Sequence, residues 1–115
     1  MQLEERTVGD VAILRVIGEI TLKKNREATL HEKVRSLVQQ GHRKVVVDLA
    51  GVSYIDSAGL GELVQTQSMV KNHGGSLKVC SPTKRLRDLL VLTRLTKILG
   101  THDDETQALE SFASQ

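Results

Sequence analysis

A serine between an apolar segment and a run of small residues is the side chain best placed to do chemistry in this chain. Residues 48–61 are Asp-Leu-Ala-Gly-Val-Ser-Tyr-Ile-Asp-Ser-Ala-Gly-Leu-Gly, so Asp56 and Ser57 directly follow the apolar part. Either side chain could cap a following helix by accepting a backbone N–H hydrogen bond. Gly59 and Gly61 leave the first turn of that helix with few side chains, although each glycine lowers helix stability by about 0.5–1 kcal/mol relative to alanine. The pattern predicts either close backbone packing here or the approach of a partner or a phosphate.

Two chemical interpretations of this turn need residues that the chain lacks. A nucleophile elbow has the pattern Gly-x-Ser-x-Gly, but Ile55 occupies its first glycine position. A dinucleotide loop beginning at Gly59 would need a glycine where Val64 stands. The histidines that could serve a catalytic serine or a zinc ion are scattered: His31, His42, His73 and His102. We expect no catalytic residue, metal or cofactor, and serine hydrolysis is the weaker alternative.

Composition and charge describe one small globular domain. The 115 residues are 39% hydrophobic, 26% charged and 2% aromatic, which predicts an aliphatic core and no platform for stacking bases. The formal charge of +2 is too small to indicate a nucleic-acid-binding surface. We therefore expect a single domain over residues 1–115 and no nucleic-acid partner.

The single cysteine and the amino terminus favour a cytoplasmic protein. Cys80 has no cysteine partner and lies in an apolar segment, which indicates a buried side chain in a reducing compartment. The first residues show no basic region followed by an apolar run, and no segment approaches the ~20 apolar residues that span a bilayer. We expect a cytoplasmic location and no membrane partner.

Hydrophobic periodicity predicts the elements that precede the serine. Alternation over residues 11–17 predicts a strand, joined by a turn at residues 8–10 to a first strand over residues 3–7. An apolar stripe predicts a helix over residues 26–40, with Gly41 as its left-handed end. The stripe consists of Leu30, Val34, Leu37 and Val38. The β-branched run at residues 44–49 then predicts a central strand that is covered on both faces.

The elements after the serine complete an alternating α/β pattern. A helix runs from Ser57 to the glycines at 74 and 75, and residues 77–80 resume a strand. Residues 81–92 form a third helix with Ser81 as its cap and Pro82 in its first turn. Residues 95–99 form a last strand, and one of the aspartates at 103 and 104 caps a final helix. The order β-β-α-β-α-β-α-β-α predicts one α/β sandwich with a mixed, mostly parallel sheet.

The residues around the serine resemble the STAS domain of anti-sigma factor antagonists. The specific part is Asp56-Ser57-Ala58-Gly59-Leu60-Gly61, at the end of a similar stretch that begins at residue 45. Gly18-Glu19-Ile20, Gly74-Gly75 and Arg85-Leu86-Arg87-Asp88-Leu89-Leu90 extend the resemblance over nearly the whole chain. The resemblance implies a single-domain STAS-like sandwich.

The same resemblance implies a non-enzymatic partner switch. It makes Ser57 the phosphoacceptor of an anti-sigma factor that is also a serine kinase. The unmodified chain would bind this kinase and free a sigma factor, and a serine phosphatase would restore the binding form. The implied state is a monomer or weak dimer. The implied partner-binding residues are Gly18, Glu19, Ile20, Thr21, Ser53, Tyr54, Asp56, Leu60 and Gly61.

Thr21 departs from the pattern of the family. Many antagonists carry an aspartate directly after the Gly-Glu-hydrophobic triplet, and a threonine cannot supply that charge. A second interpretation therefore stays open, in which the chain is a stressosome-type or other STAS scaffold subunit.

Basic residues flank the predicted site on two elements: Lys23, Lys24 and Arg26 before the first helix, and Lys84, Arg85 and Arg87 on the third. We interpret them as solvated faces. The alternative is that Lys23 and Lys24 lie near the Ser57 rim, where they would meet an acidic partner or a phosphate.

Overall fold

The computed structural model describes residues 2–21 and 29–113, and within them it shows a five-stranded sheet and four helices. The strands are β1 (Gln2–Val8), β2 (Val11–Ile20), β3 (Lys44–Ile55), β4 (Ser76–Cys80) and β5 (Thr101–His102). The helices are α1 (Leu30–Gln39), α2 (Ser57–Asn72), α3 (Lys84–Leu92) and α4 (Glu105–Ala113). The strands lie in the order β1-β2-β3-β4-β5, with β1 antiparallel to β2 and all other neighbours parallel. The predicted α/β sandwich is confirmed. No helix among these elements is long and apolar enough to cross a membrane.

The central strand β3 is packed on both faces, as its β-branched run predicted. Val45 and Val47 belong to the larger core cluster, which contains the buried side chains of α1 and α2. Val46 joins Phe112 of α4 in a second cluster. Successive strand residues point to opposite faces, so one uninterrupted run serves both layers. Each fully buried valine contributes roughly 1.5–3 kcal/mol relative to an exposed one.

The first helix has the predicted apolar stripe and the predicted end. Leu30, Val34, Leu37 and Val38 are all buried, and Gly41 has φ +101° just beyond the helix. The Oγ1 atom of Thr29 accepts the N–H of Glu32 at 3.1 Å and caps the first turn. The predicted helix start at Arg26 falls within residues 22–28, outside the described residues, as do Lys23 and Lys24.

The predicted start of the third helix is wrong. Ser81 does not cap α3, because its backbone has φ +56° and lies in the left-handed region. Thr83 caps the helix instead, and its Oγ1 accepts the N–H of Leu86 at 3.3 Å. The apolar spacing predicts a buried stripe of Leu86, Leu89 and Leu90; Leu86 and Leu90 are buried, whereas Leu89 is only partly buried.

The predicted strand at residues 95–99 is also wrong, because this segment folds as hydrogen-bonded turns. Leu95 N–H donates to the carbonyl of Leu90 at 2.9 Å, and Leu99 N–H donates to that of Leu95 at 2.9 Å. The last strand, β5, consists of residues 101–102, after Gly100 with φ +59°.

Strand β3 continues well past its predicted end at residue 49. It pairs with β4 over residues 44–48 only, and the last of these pairs is Asp48–Cys80. On its other side it pairs with β2 as far as Ile20–Ile55. The carboxyl-terminal half of β3 therefore extends beyond β4 and carries the chain directly to the start of α2.

Candidate partner-binding site

The ends of β2 and β3 meet at the beginning of α2. Glu19 pairs with Tyr54 and Ile20 with Ile55 at the last positions of the two parallel strands. The N–H of Asp56 donates to the carbonyl oxygen of Ile20 at 3.3 Å, which ties the start of α2 to the end of β2. The two predicted site segments, far apart in sequence, are therefore neighbours at the carboxyl edge of the sheet.

Asp56, and not Ser57, caps α2. Its Oδ1 atom accepts the N–H of Gly59 at 2.6 Å, and its carbonyl accepts the N–H of Leu60 at 2.9 Å. Ser57 is then the first helical residue, and its side chain is exposed. Within the described residues the Ser57 hydroxyl makes no hydrogen bond. The cap and the candidate phosphoacceptor are thus separate residues.

The two glycines of the first turn have different causes. A Cβ on Gly59 would lie 2.7 Å from the carbonyl carbon of Ile20 and would overlap its oxygen. A Cβ on Gly61 would have no neighbour within 4 Å. Of the two predicted causes, close backbone packing therefore applies to Gly59, which lets the helix approach the backbone of β2. Only Gly61 leaves open surface.

Two of the predicted partner-binding residues belong to the core. Ile20 is 1% exposed and Leu60 is 8% exposed, and both pack in the larger cluster. Their side chains support the site from below and do not offer a contact surface. The other predicted residues are exposed or partly exposed, and we call them the Ser57 face: Gly18, Glu19, Thr21, Ser53, Tyr54, Asp56, Ser57 and Gly61.

A backbone irregularity shapes one side of the Ser57 face. Gly18 has φ +106°, which an L side chain rarely adopts, and the register of β2 on β3 shifts between Gly18 and Glu19. The hydroxyl of Ser53, which lies opposite this shift, donates to the carbonyl oxygen of Gly18 at 3.3 Å. Glycine is thus the residue that fits the left-handed backbone at this register shift.

Sequence reasoning missed a groove that adjoins this face. Its volume is about 380 Å³, and we call it the β3–α3 groove after the two elements that form its walls. The residues that line it are Val52, Ser53, Tyr54, Ile55, Thr83, Arg85, Leu86, Asp88, Leu89 and Leu92. The available signal was the Leu-Leu-Val-Leu run at residues 89–92, which is more apolar than the buried stripe of one short helix requires.

Among the described residues, no hydrogen bond joins Ser57 to a histidine or to Cys80. The Nδ1 atom of His31 lies 3.2 Å from the Thr66 hydroxyl, and that of His73 lies 2.8 Å from the carbonyl of Met69. Burial lowers the pKa of His102, and nearby Lys78 adds to this shift. Burial also raises the pKa of the Cys80 thiol to about 11, so the thiol is protonated at neutral pH.

The fold is that of a STAS domain. The chain belongs to the STAS domain family, whose sequence profile matches residues 2–108. It is 44% identical to the anti-sigma-B factor antagonist of Bacillus subtilis over 70 residues, and this aligned region covers 61% of this chain and 63% of that protein. It is 26% identical over 110 residues to the anti-sigma F factor antagonist of Paenibacillus polymyxa, which covers 95% and 92%.

Solved structures show the same fold. The anti-sigma factor antagonist SpoIIAA in its unphosphorylated form superposes with a TM-score of 0.67 at 16% identity, over 99% of this chain and 100% of that one. The phosphorylated form of the Bacillus protein gives a TM-score of 0.67 at 17% identity, over 96% and 99%. Because both identities are low, these matches establish the architecture alone.

Proposed function

We propose that this protein is an anti-sigma factor antagonist that acts by partner switching, with Ser57 as its phosphoacceptor. Unphosphorylated, it binds a serine kinase that is also an anti-sigma factor, and phosphorylation of Ser57 releases that kinase. The observation that carries the proposal is the exposed Ser57 hydroxyl at the first position of α2, beside the exposed Tyr54 and Gly61. Two relatives named as antagonists of anti-sigma factors support it, as does a structural relative solved with and without phosphate.

Electrostatics alone can operate this switch. A phosphate on Ser57 adds about −1.5 to −2 charges next to the carboxylate of Asp56. The helix N-terminus offsets only about 0.3–1 kcal/mol of this cost at an exposed position, which leaves the fold intact. A docked partner that desolvates this dianion without supplying cations loses affinity, about tenfold for each 1.4 kcal/mol. The phosphate therefore acts on the interface and not on the architecture.

In this cycle the chain itself catalyses no reaction. ATP is consumed by the kinase partner, and a serine phosphatase regenerates the binding form. We place the cycle in the cytoplasm, where sigma factors act, and we assign the chain the state of a monomer or weak dimer. The relatives that regulate sigma factors support this location.

Binding and phosphorylation assays with the cognate kinase test the proposal. Ser57→Ala should bind the kinase with unchanged affinity and take up no phosphate, whereas Ser57→Asp should bind about tenfold more weakly or worse. Ser68→Asp is the matched control, because Ser68 is also exposed on α2 but lies three turns further along. Phosphate found by mass spectrometry only on residues other than Ser57 would contradict the assignment.

One observation favours the scaffold alternative. Strand β1 is at the edge of the sheet, and its outer side pairs with no other strand that the structure describes. Such an edge is a template for pairing with another chain. Sedimentation velocity separates the two functions, since a large defined assembly favours a scaffold and a monomer or weak dimer favours the antagonist.

A further inference from the structure

The β3–α3 groove has the size and lining of a binding site. Its volume of about 380 Å³ lies within the ~300–1,000 Å³ typical of sites that enclose ligands. Val52, Ile55, Leu86, Leu89 and Leu92 make most of its lining apolar. Leu92 is 81% exposed and Tyr54 is 49% exposed, so large apolar side chains at the groove stand open to water. Apolar surface exposed to water does not stabilise a monomer, whereas a bound partner would remove this surface from water.

One wall of the groove is the edge of a strand. Gly51, Val52, Tyr54 and Ile55 of β3 pair with β2, and Ser53 lies at the register shift. No other described strand reaches this segment, because pairing with β4 ends at Asp48. On either side of the shift at Ser53 the backbone groups alternate between the two sides of the strand, and those on the side away from β2 pair with no described strand. The Oδ1 atom of Asp48 accepts the N–H of Ala50 at 2.9 Å, just past the point where pairing with β4 ends. The edge beyond Ala50 has the geometry that accepts an extended peptide.

The other wall carries two opposite charges. Arg85 and Asp88 line the groove, and neither forms an ion pair with another described residue. Arg87 on the same helix, by contrast, pairs with Asp103 at 2.6 Å. An occupant with an acidic side chain for Arg85 and a basic one for Asp88 would be complementary in charge as well as in polarity.

The groove is continuous with the Ser57 face. Ser53 and Tyr54 belong to both surfaces, and the chain passes from Ile55 through the cap residue Asp56 directly to Ser57. A protein that covers Ser57 therefore already contacts the rim of the groove. An adjoining segment of the same protein needs no long linker to enter it.

We propose that the β3–α3 groove is a second docking site for the kinase partner, and that its occupant is an extended segment of that partner. The segment adds to the free edge of β3 as a further strand, covers Leu89 and Leu92 with apolar side chains, and presents an acidic residue to Arg85. This inference rests on the proposed function, because it takes the same partner. It adds an anchor that is separate from the phosphoacceptor.

Two pairs of variants test the site by calorimetric titration with the cognate kinase. Leu92→Asp should weaken binding about tenfold or more, because it places a charge in an apolar contact. Val91→Asp is its control, since Val91 is adjacent and 62% exposed but does not line the groove. Arg85→Glu should also weaken binding, whereas Lys84→Glu, on the same helix but outside the groove, should not. Both controls should stay within about twofold of the wild type.

Hydrogen exchange identifies the form of the occupant. Strand addition should slow exchange of backbone amides in residues 52–55 when the kinase is bound. Weakened binding by Leu92→Asp without this protection would indicate a helix in the groove and would overturn the proposal. A change in the mass of the free chain on Leu92→Asp would indicate a second copy as occupant and would also overturn it.

The same titrations keep the two hypotheses apart. If Ser57→Asp loses affinity while Leu92→Asp and Arg85→Glu bind as wild type, the groove proposal fails and the proposed function stands. If Ser57→Asp binds as wild type while the groove variants lose affinity, the phosphoserine switch fails and the docking site stands.

Discussion

Alanine at position 59 should destabilise the protein, although alanine is the better helix former. The new Cβ would lie 2.7 Å from the carbonyl carbon of Ile20, where carbon atoms prefer roughly 3.5–4.0 Å, so α2 must move by about 1 Å. Such overpacking costs about 1–3 kcal/mol. Replacing a helical glycine by alanine stabilises the helix by only about 0.5–1 kcal/mol. We expect a net loss of up to about 2.5 kcal/mol in the free energy of unfolding.

Gly61→Ala is the matched control for this prediction. It makes the same change in the same helical turn, but its Cβ meets no atom within 4 Å. It should therefore stabilise the protein by about 0.5–1 kcal/mol. Because the gain in helix propensity is common to both variants, their difference of about 1–3 kcal/mol isolates the clash. Urea unfolding followed by circular dichroism measures both values, and equal midpoints for the two variants would refute the close approach of α2 to β2.

The remaining predictions concern the cap of α2 and the buried thiol. Asp56→Ala should lower the free energy of unfolding by about 1 kcal/mol, and Asp56→Asn should retain most of it because asparagine is an equally good cap. Urea midpoints measure both, and an alanine variant as stable as the wild type would rule out the cap. Burial raises the pKa of the Cys80 thiol from 9.0 to about 11. The contribution of the protonated thiol to the free energy of unfolding should therefore be fully present below pH 9.0 and should be lost as the pH rises towards 11. Cys80→Ala should remove this alkaline loss, and rapid labelling of the folded thiol by a disulfide reagent at neutral pH would contradict its burial.

The fold could be predicted from the sequence because its long elements have clear periodicity. The stripe of α1 and the β-branched run of β3 each correspond to one burial pattern. Shorter signals failed where local geometry competes with composition. Residues 95–99 have the leucines of a strand, but hydrogen bonds back to Leu90 and Leu95 make them turns. Ser81 has the composition of a cap, but its left-handed backbone excludes that role.

The candidate site was only partly predictable. That the two segments meet follows from parallel strands, whose carboxyl ends share one edge of the sheet. Which of their side chains reach the surface does not follow from spacing, so buried Ile20 and Leu60 could not be separated from exposed Tyr54. The difference between Gly59 and Gly61 depends on the path of a backbone 39 residues earlier in the chain, at Ile20. The groove exists because β3 extends beyond the last residue of β4, and the composition of the chain does not specify the length of this extension.

The cap of α2 also determines how much of a phosphate's charge the domain can neutralise by itself. Asp56 occupies the N–H of Gly59, so the amides of Ser57 and Ala58 are the remaining donors of the first turn. A helix whose first turn were uncapped could fold its N–H groups around the phosphate and screen it. Here a carboxylate already uses part of that positive end, and the phosphate keeps most of its charge directed outward. A phosphate on Ser57 would therefore keep its charge available to repel or attract a docked protein.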